Sequence, residues 1–132
     1  MSHVKHRIGW FIAVGCAAAA VHLGSVVVLV SGLHWPPLVA NVAGWLVAFC
    51  VSFAGHWHLT FPQSGAPLLR AARRFMMISA TGFAINEAMY AVLLHFTGTA
   101  WYAVVLFFVL LAVAVMTYLL SSRWAFRGTG HS

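Results

Sequence analysis

Four apolar runs occupy most of the chain, at about Gly9 to Val30, Leu38 to Trp57, Phe75 to His95 and Trp101 to Ser122. Each is about the 20 residues that a helix rising ~1.5 Å per residue needs to cross ~30 Å of hydrocarbon. Ser31-Gly32-Leu33-His34-Trp35-Pro36-Pro37 separates the first two runs, and its prolines cannot continue a helix. Phe96-Thr97-Gly98-Thr99-Ala100 joins the last two. The longer Pro62-Gln63-Ser64-Gly65-Ala66-Pro67, followed by a basic patch, joins the pairs. The pattern predicts an all-α membrane protein: four transmembrane helices forming two hairpins in one domain over residues 1–132.

Composition removes the soluble alternatives. Only 6% of the 132 residues are charged and 63% are hydrophobic, whereas soluble proteins carry roughly 25% charged residues. Almost every residue falls in or near a span, which leaves no room for a soluble catalytic domain. The net charge of +6 comes from seven Lys or Arg against a single acidic residue, Glu87. Those basic residues sit at the ends of apolar runs, where topology rather than nucleic-acid binding places them. Lys5 and Arg7 precede the first run, Arg70, Arg73 and Arg74 lie in the central connection, and Arg123 and Arg127 follow the fourth run. Neither hairpin turn carries Lys or Arg, so both termini and the central connection are expected in the cytoplasm.

The start of the chain has the basic flank of a secretory signal, and Ala17-Ala18-Ala19 is a small-residue stretch. The apolar run continues to Val30, too far for a signal core, and is read as a retained span. Cys16 and Cys50 both fall inside spans and imply no disulfide.

A shift of 65 residues lays Ser52-Phe53-Ala54-Gly55-His56-Trp57-His58-Leu59-Thr60-Phe61 on Thr117-Tyr118-Leu119-Leu120-Ser121-Ser122-Arg123-Trp124-Ala125-Phe126. The same shift superimposes the first run on the third. The chain is therefore read as two parallel-repeat helical hairpins, about 9–61 and 74–126, related by a pseudo-two-fold axis along the membrane normal.

At these hairpin ends the sequence resembles the GtrA-like family of small four-span bacterial membrane proteins. Tyr118, Ser121, Arg123, Trp124 and Phe126 match the family's motif in the second copy, and Phe53, Thr60 and Phe61 match it in the first. His56 stands where Asn is usual, and Trp57 and His58 replace basic residues. Val14-Gly15 and Ala40-Asn41 also fit, with His22 where Asp is often found. The resemblance implies a flippase, or flippase accessory, that moves polyprenyl-phosphate-linked sugars across the bacterial inner membrane for cell-surface polysaccharide glycosylation. The implied partners are that sugar lipid, membrane lipid and a membrane glycosyltransferase. Four helices enclose little volume, so a homo-oligomer is expected.

Glu87 is the foremost candidate. Counted along its apolar run it falls near the bilayer centre, where insertion costs about 2.5–3.5 kcal/mol, so function is the default reading. The 65-residue shift carries it onto His22, and the two are expected at equal depth, able to meet across the pseudo-axis. Asn41 and Asn86 complete a mid-membrane polar groove, since buried amides require partners that a sugar hydroxyl or phosphate oxygen can supply. On the cytoplasmic side His56, His58, Arg74 and Arg123 are the candidate phosphate contacts, flanked by Arg70, Arg73 and Arg127. Gly15, Gly44, Ala48 and Gly82 lie on small-residue stripes and are read as close-packing positions. Trp35, Trp57, Trp101 and Trp124 lie near run ends, as in an interfacial belt.

Other chemistries find no motif. There is no Gly-rich phosphate loop, no Cys-x-x-Cys and no carboxylate pair, and His56-x-His58 on a helix splays its imidazoles about 200° apart. No enzyme, metal or cofactor is expected. Two alternatives stand beside the flippase. One is a non-transporting scaffold for a glycosyltransferase. The other is a proton-coupled exporter like the small multidrug resistance family, whose membrane Glu lies in the first span rather than the third.

Overall fold

The computed structural model describes the backbone of residues 2–60, 62 and 65–129, with side chains for 5–60, 62, 65–116 and 119. Helix α1, Ser2–Val27, runs into a π-helical turn over Val28–Gly32. Helix α2, Pro37–Gly55, ends in a second π turn over His56–Thr60. Helix α3 is Leu68–Thr97, and after a 3-10 turn over Thr99–Trp101 helix α4 spans Tyr102–Thr129. All four helices are long and apolar enough to cross a membrane, and the protein is multi-pass.

Local chemistry sets the turns. After the first π turn, His34 N–H bonds back to Val30 O at 3.1 Å and Trp35 N–H to Leu29 O at 3.0 Å. Pro36 is extended, and Pro37 opens α2 where its missing N–H costs nothing. Gly98 ends α3 with φ of 82°, a conformation that side chains rarely adopt, while its N–H caps Leu94 O at 2.8 Å.

The helices overrun the apolar runs. α3 begins at Leu68 rather than Phe75 and α2 continues through its π turn to Thr60, because backbone hydrogen bonding does not stop where hydrophobicity does. The 30 residues of α3 reach about 45 Å. Its first turns carry Arg70, Arg73 and Arg74, all exposed.

Helices α1 and α2 pack closely at two levels, Gly44 against the His22 backbone and the Val26 side chain, and Gly55 against the Val14 side chain. A Cβ on Gly44 would stand 2.9 Å from Val26 Cγ2 and 3.0 Å from His22 O, and one on Gly55 would stand 2.7 Å from Val14 Cγ1. Gly15 and Gly82, expected in the same role, have nothing within 4 Å of that position. The physical reason is that close approach is confined to the α1–α2 seam, while the Gly15 face borders a groove toward α4. Gly55→Ala is therefore expected to destabilise by about 1–3 kcal/mol through overpacking, an effect that Val14→Ala relieves in the double variant. Gly15→Ala and Gly82→Ala should be neutral or stabilising, since alanine is the better helix former by about 1 kcal/mol. Thermal unfolding in detergent reads both signs.

The core lies near the two hairpin turns. Val26, Ala40, Tyr90, Leu94, Val105, Leu106 and Val109 form one buried cluster from all four helices. Tyr90 donates to Tyr102 O at 3.0 Å, and the Ser31 and Tyr102 hydroxyls are hydrogen-bonded across the two hairpins. Toward the opposite end, which carries both termini, residues 68–85 of α3 and 110–116 of α4 include no buried position. There α4 parts from α1 and α3. A groove of about 740 Å³ opens between α3 and α4, and one of about 620 Å³ between α1 and α4.

Candidate functional site

Three helices each present a polar side chain to the same point. Asn41 is fully buried, and its amide is the hub. Its Oδ1 accepts from His22 Nε2–H at 2.7 Å, and its Nδ2 donates to Asn86 Oδ1 at 2.8 Å and to Glu87 Oε1 at 2.9 Å. This network assigns the Asn41 amide orientation and places a proton on His22 Nε2. Both amide hydrogens and one carbonyl lone pair of Asn41 are used, so it holds its neighbours rather than offering free capacity.

His22 and Glu87 do not meet directly. The sequence expectation of a contact across the pseudo-axis is corrected to a bridged pair, because the Asn41 amide stands between them and offers each the complementary group. Along the helices the network lies in the half of the bundle toward the hairpin turns. Asn41 is four residues from the start of α2, about 6 Å, and Glu87 ten from the end of α3, about 15 Å. His22 and Asn86 are buried, whereas Glu87 is half-buried and hydrogen-bonded through one oxygen only among the described residues.

The expected phosphate contacts do not form a single ring. His56 is buried: its Nδ1 pairs with Thr60 Oγ1 at 2.9 Å, and its ring stacks on Phe11 at 4.9 Å and meets Phe75 edge-on at 5.7 Å. It continues the buried face of α2 that carries Gly44 and Ala48, and so turns away from the exposed His58 and Arg74. The side chains of Arg123, Arg127 and Trp124 lie outside the described residues. Among the described residues no three potential ligands group as a metal site.

An aromatic wall joins the two regions, and sequence reasoning missed it. Trp45, Phe49, Phe53 and Trp57 recur every fourth residue along α2 and so share one face. They pack on α3: Trp45 stacks on Phe83 at 4.7 Å and donates Nε1–H to Ser79 Oγ at 2.8 Å, while Phe49 and Phe53 tilt against Phe75 at 5.5 and 6.0 Å. Phe83 in turn lies 6.3 Å from the His22 ring. Trp57, expected in an interfacial belt, is half-buried beside Phe53, whereas Trp35 and Trp101 are exposed.

The family model described as GtrA/DPMS, transmembrane domain, matches residues 10–126, which include the whole polar network and the aromatic wall. Comparison with curated proteins and with solved structures gives no match.

Proposed function

Because the chain belongs to the GtrA/DPMS transmembrane-domain family, we propose that it is a translocase, or the accessory of one, for polyprenyl-phosphate-linked sugars in the bacterial inner membrane. In this reading the termini and central connection face the cytoplasm, as the distribution of basic residues indicates. The protein performs no bond chemistry and works as a homo-oligomer alongside a glycosyltransferase.

The difficulty such a protein overcomes is physical. An isoprenoid tail stays in lipid, but every polar group on the head loses water in hydrocarbon and requires a replacement partner. The observation that carries the reading is the His22–Asn41–Asn86–Glu87 network, four polar side chains gathered on three helices of a predominantly apolar bundle. Glu87 is its outward member. A carboxylate accepts hydrogen bonds from sugar hydroxyls and repels phosphate, so Glu87 addresses the sugar. The exposed Arg74 and His58, with Arg123, address the phosphate at the terminal end. Asn41, Asn86 and His22 hold Glu87 in position.

Reconstitution tests this. Purified protein goes into liposomes carrying polyprenyl-phosphate glucose, mannose or N-acetylglucosamine, with an impermeant sugar-modifying enzyme outside. The expected result is complete modification of at least one lipid with protein, and only the outer-leaflet half without it. A protein that leaves every inner-leaflet pool protected is a scaffold instead.

A further inference from the structure

We propose that the aromatic pocket at the terminal end of the bundle is the seat of a single pyranose ring, the entry position of the sugar before it reaches the polar network. This rests on the translocase reading and adds to it a site and a size limit. The pocket lies where α1, the π turn after α2, and α3 converge, and it is walled by Phe11, Phe53, His56, Trp57, Ala71 and Phe75. Its volume is about 200 Å³. That is below the ~300 Å³ at which pockets for drug-sized molecules begin, so it takes one ring and not an oligosaccharide.

The walls are built and held. Phe53 lies 5.9 Å from Trp57 and 6.0 Å from Phe75, ring to ring, and His56 fills the base between Phe11 and Phe75. The Thr60 hydroxyl pins the His56 ring through Nδ1. His56 and Trp57 are adjacent at the start of the π turn, one continuing the Gly44–Ala48 face of α2 and the other the Phe49–Phe53 face, and both line this pocket.

Three features select the occupant. Aromatic faces match the C–H faces of a pyranose. Arg70 and Arg74 flank Ala71 and Phe75 on α3 and are exposed, so the surroundings repel the cation that an aromatic cage otherwise attracts and suit a ring bearing a phosphate. A bare lipid tail has the two larger grooves beside α4, which lack an imidazole in their lining. The pocket also opens onto the aromatic wall, which shares Phe53, Trp57 and Phe75 with it and leads along α2 and α3 to the Trp45–Phe83 pair beside His22.

Equilibrium binding in detergent decides it, using two-isoprene prenyl phosphates bearing glucose, mannose or N-acetylglucosamine against the same prenyl phosphate without sugar. The parent should bind at least one sugar-bearing probe more tightly than the sugarless one. Trp57→Ala should weaken that probe by about tenfold, the loss typical of truncating an aromatic anchor, and leave the sugarless probe unchanged. Phe53→Leu, which nearly keeps its volume, should act in the same direction, and Trp57→Phe should retain most of the affinity. If Trp57→Ala and Phe53→Leu spare the sugar advantage, or weaken both kinds of probe equally, the pocket does not seat the sugar. A parent that transports in liposomes yet shows no sugar advantage overturns the pocket alone. A parent that neither binds nor transports any probe overturns the translocase as well.

Discussion

Asn41→Ala is expected to lower stability by about 2–4 kcal/mol, more than any other polar-to-alanine change in the described chain. It removes three hydrogen bonds at once. Measured between membrane helices, such bonds average only ~0.6 kcal/mol and reach ~1.7, but groups left buried without partners add about 1–3 kcal/mol. His22 and Asn86 are buried and cannot turn to water. Asn41→Asp separates the contributions: it returns an acceptor to His22 but supplies neither N–H that Asn86 and Glu87 require. Reversible unfolding in detergent should therefore place Asn41→Asp no better than Asn41→Ala. An aspartate variant as stable as the parent would mean that the donated bonds contribute nothing.

Glu87→Gln is expected to fold normally and lose at least about tenfold in transport. Glutamine keeps a carbonyl oxygen for the Asn41 amide, so the network closes as before. What it loses is the capacity to ionise, and hydrogen bonds to an ionised acceptor are roughly twice as strong as neutral ones. Stability in detergent and initial rates in liposomes, measured on one preparation, test both halves. Parent-like transport would remove Glu87 from the path.

Much of the scaffold is legible in the sequence because hydrocarbon imposes it. Runs of about 20 apolar residues interrupted by Pro36-Pro37 and by Gly98 leave little choice of span or turn. Helix ends are not legible in the same way. The exposed turns that carry Arg70 and Arg73 are helical yet hydrophilic, and hydropathy stops before they begin.

The site divides similarly. That His22, Asn41, Asn86 and Glu87 gather follows from the cost of an isolated polar group in lipid. Which of them is the hub does not, because it depends on α2 lying between α1 and α3 at that level. Nearness along the chain groups His56 with the arginines, whereas its spacing from Gly44 and Ala48 puts it on the buried face of α2. The aromatic wall had a signal in the four-residue spacing of Trp45, Phe49, Phe53 and Trp57. In a chain this rich in apolar residues, such a stripe looks the same as ordinary packing. Gly15 and Gly82 show the converse: small-residue spacing identical to that of Gly44, with no neighbour to meet.

If Glu87 addresses the sugar, as proposed, the half-buried position 87 must be reachable from water. Thiol accessibility tests it most directly. Glu87→Cys, in a chain with Cys16→Ala and Cys50→Ala, is placed in sealed liposomes and exposed to a charged, impermeant thiol reagent from the side bearing the termini. The expected result is modification that slows when polyprenyl-phosphate sugar is present. A folded protein whose position 87 stays unmodified, with or without that lipid, would contradict the account.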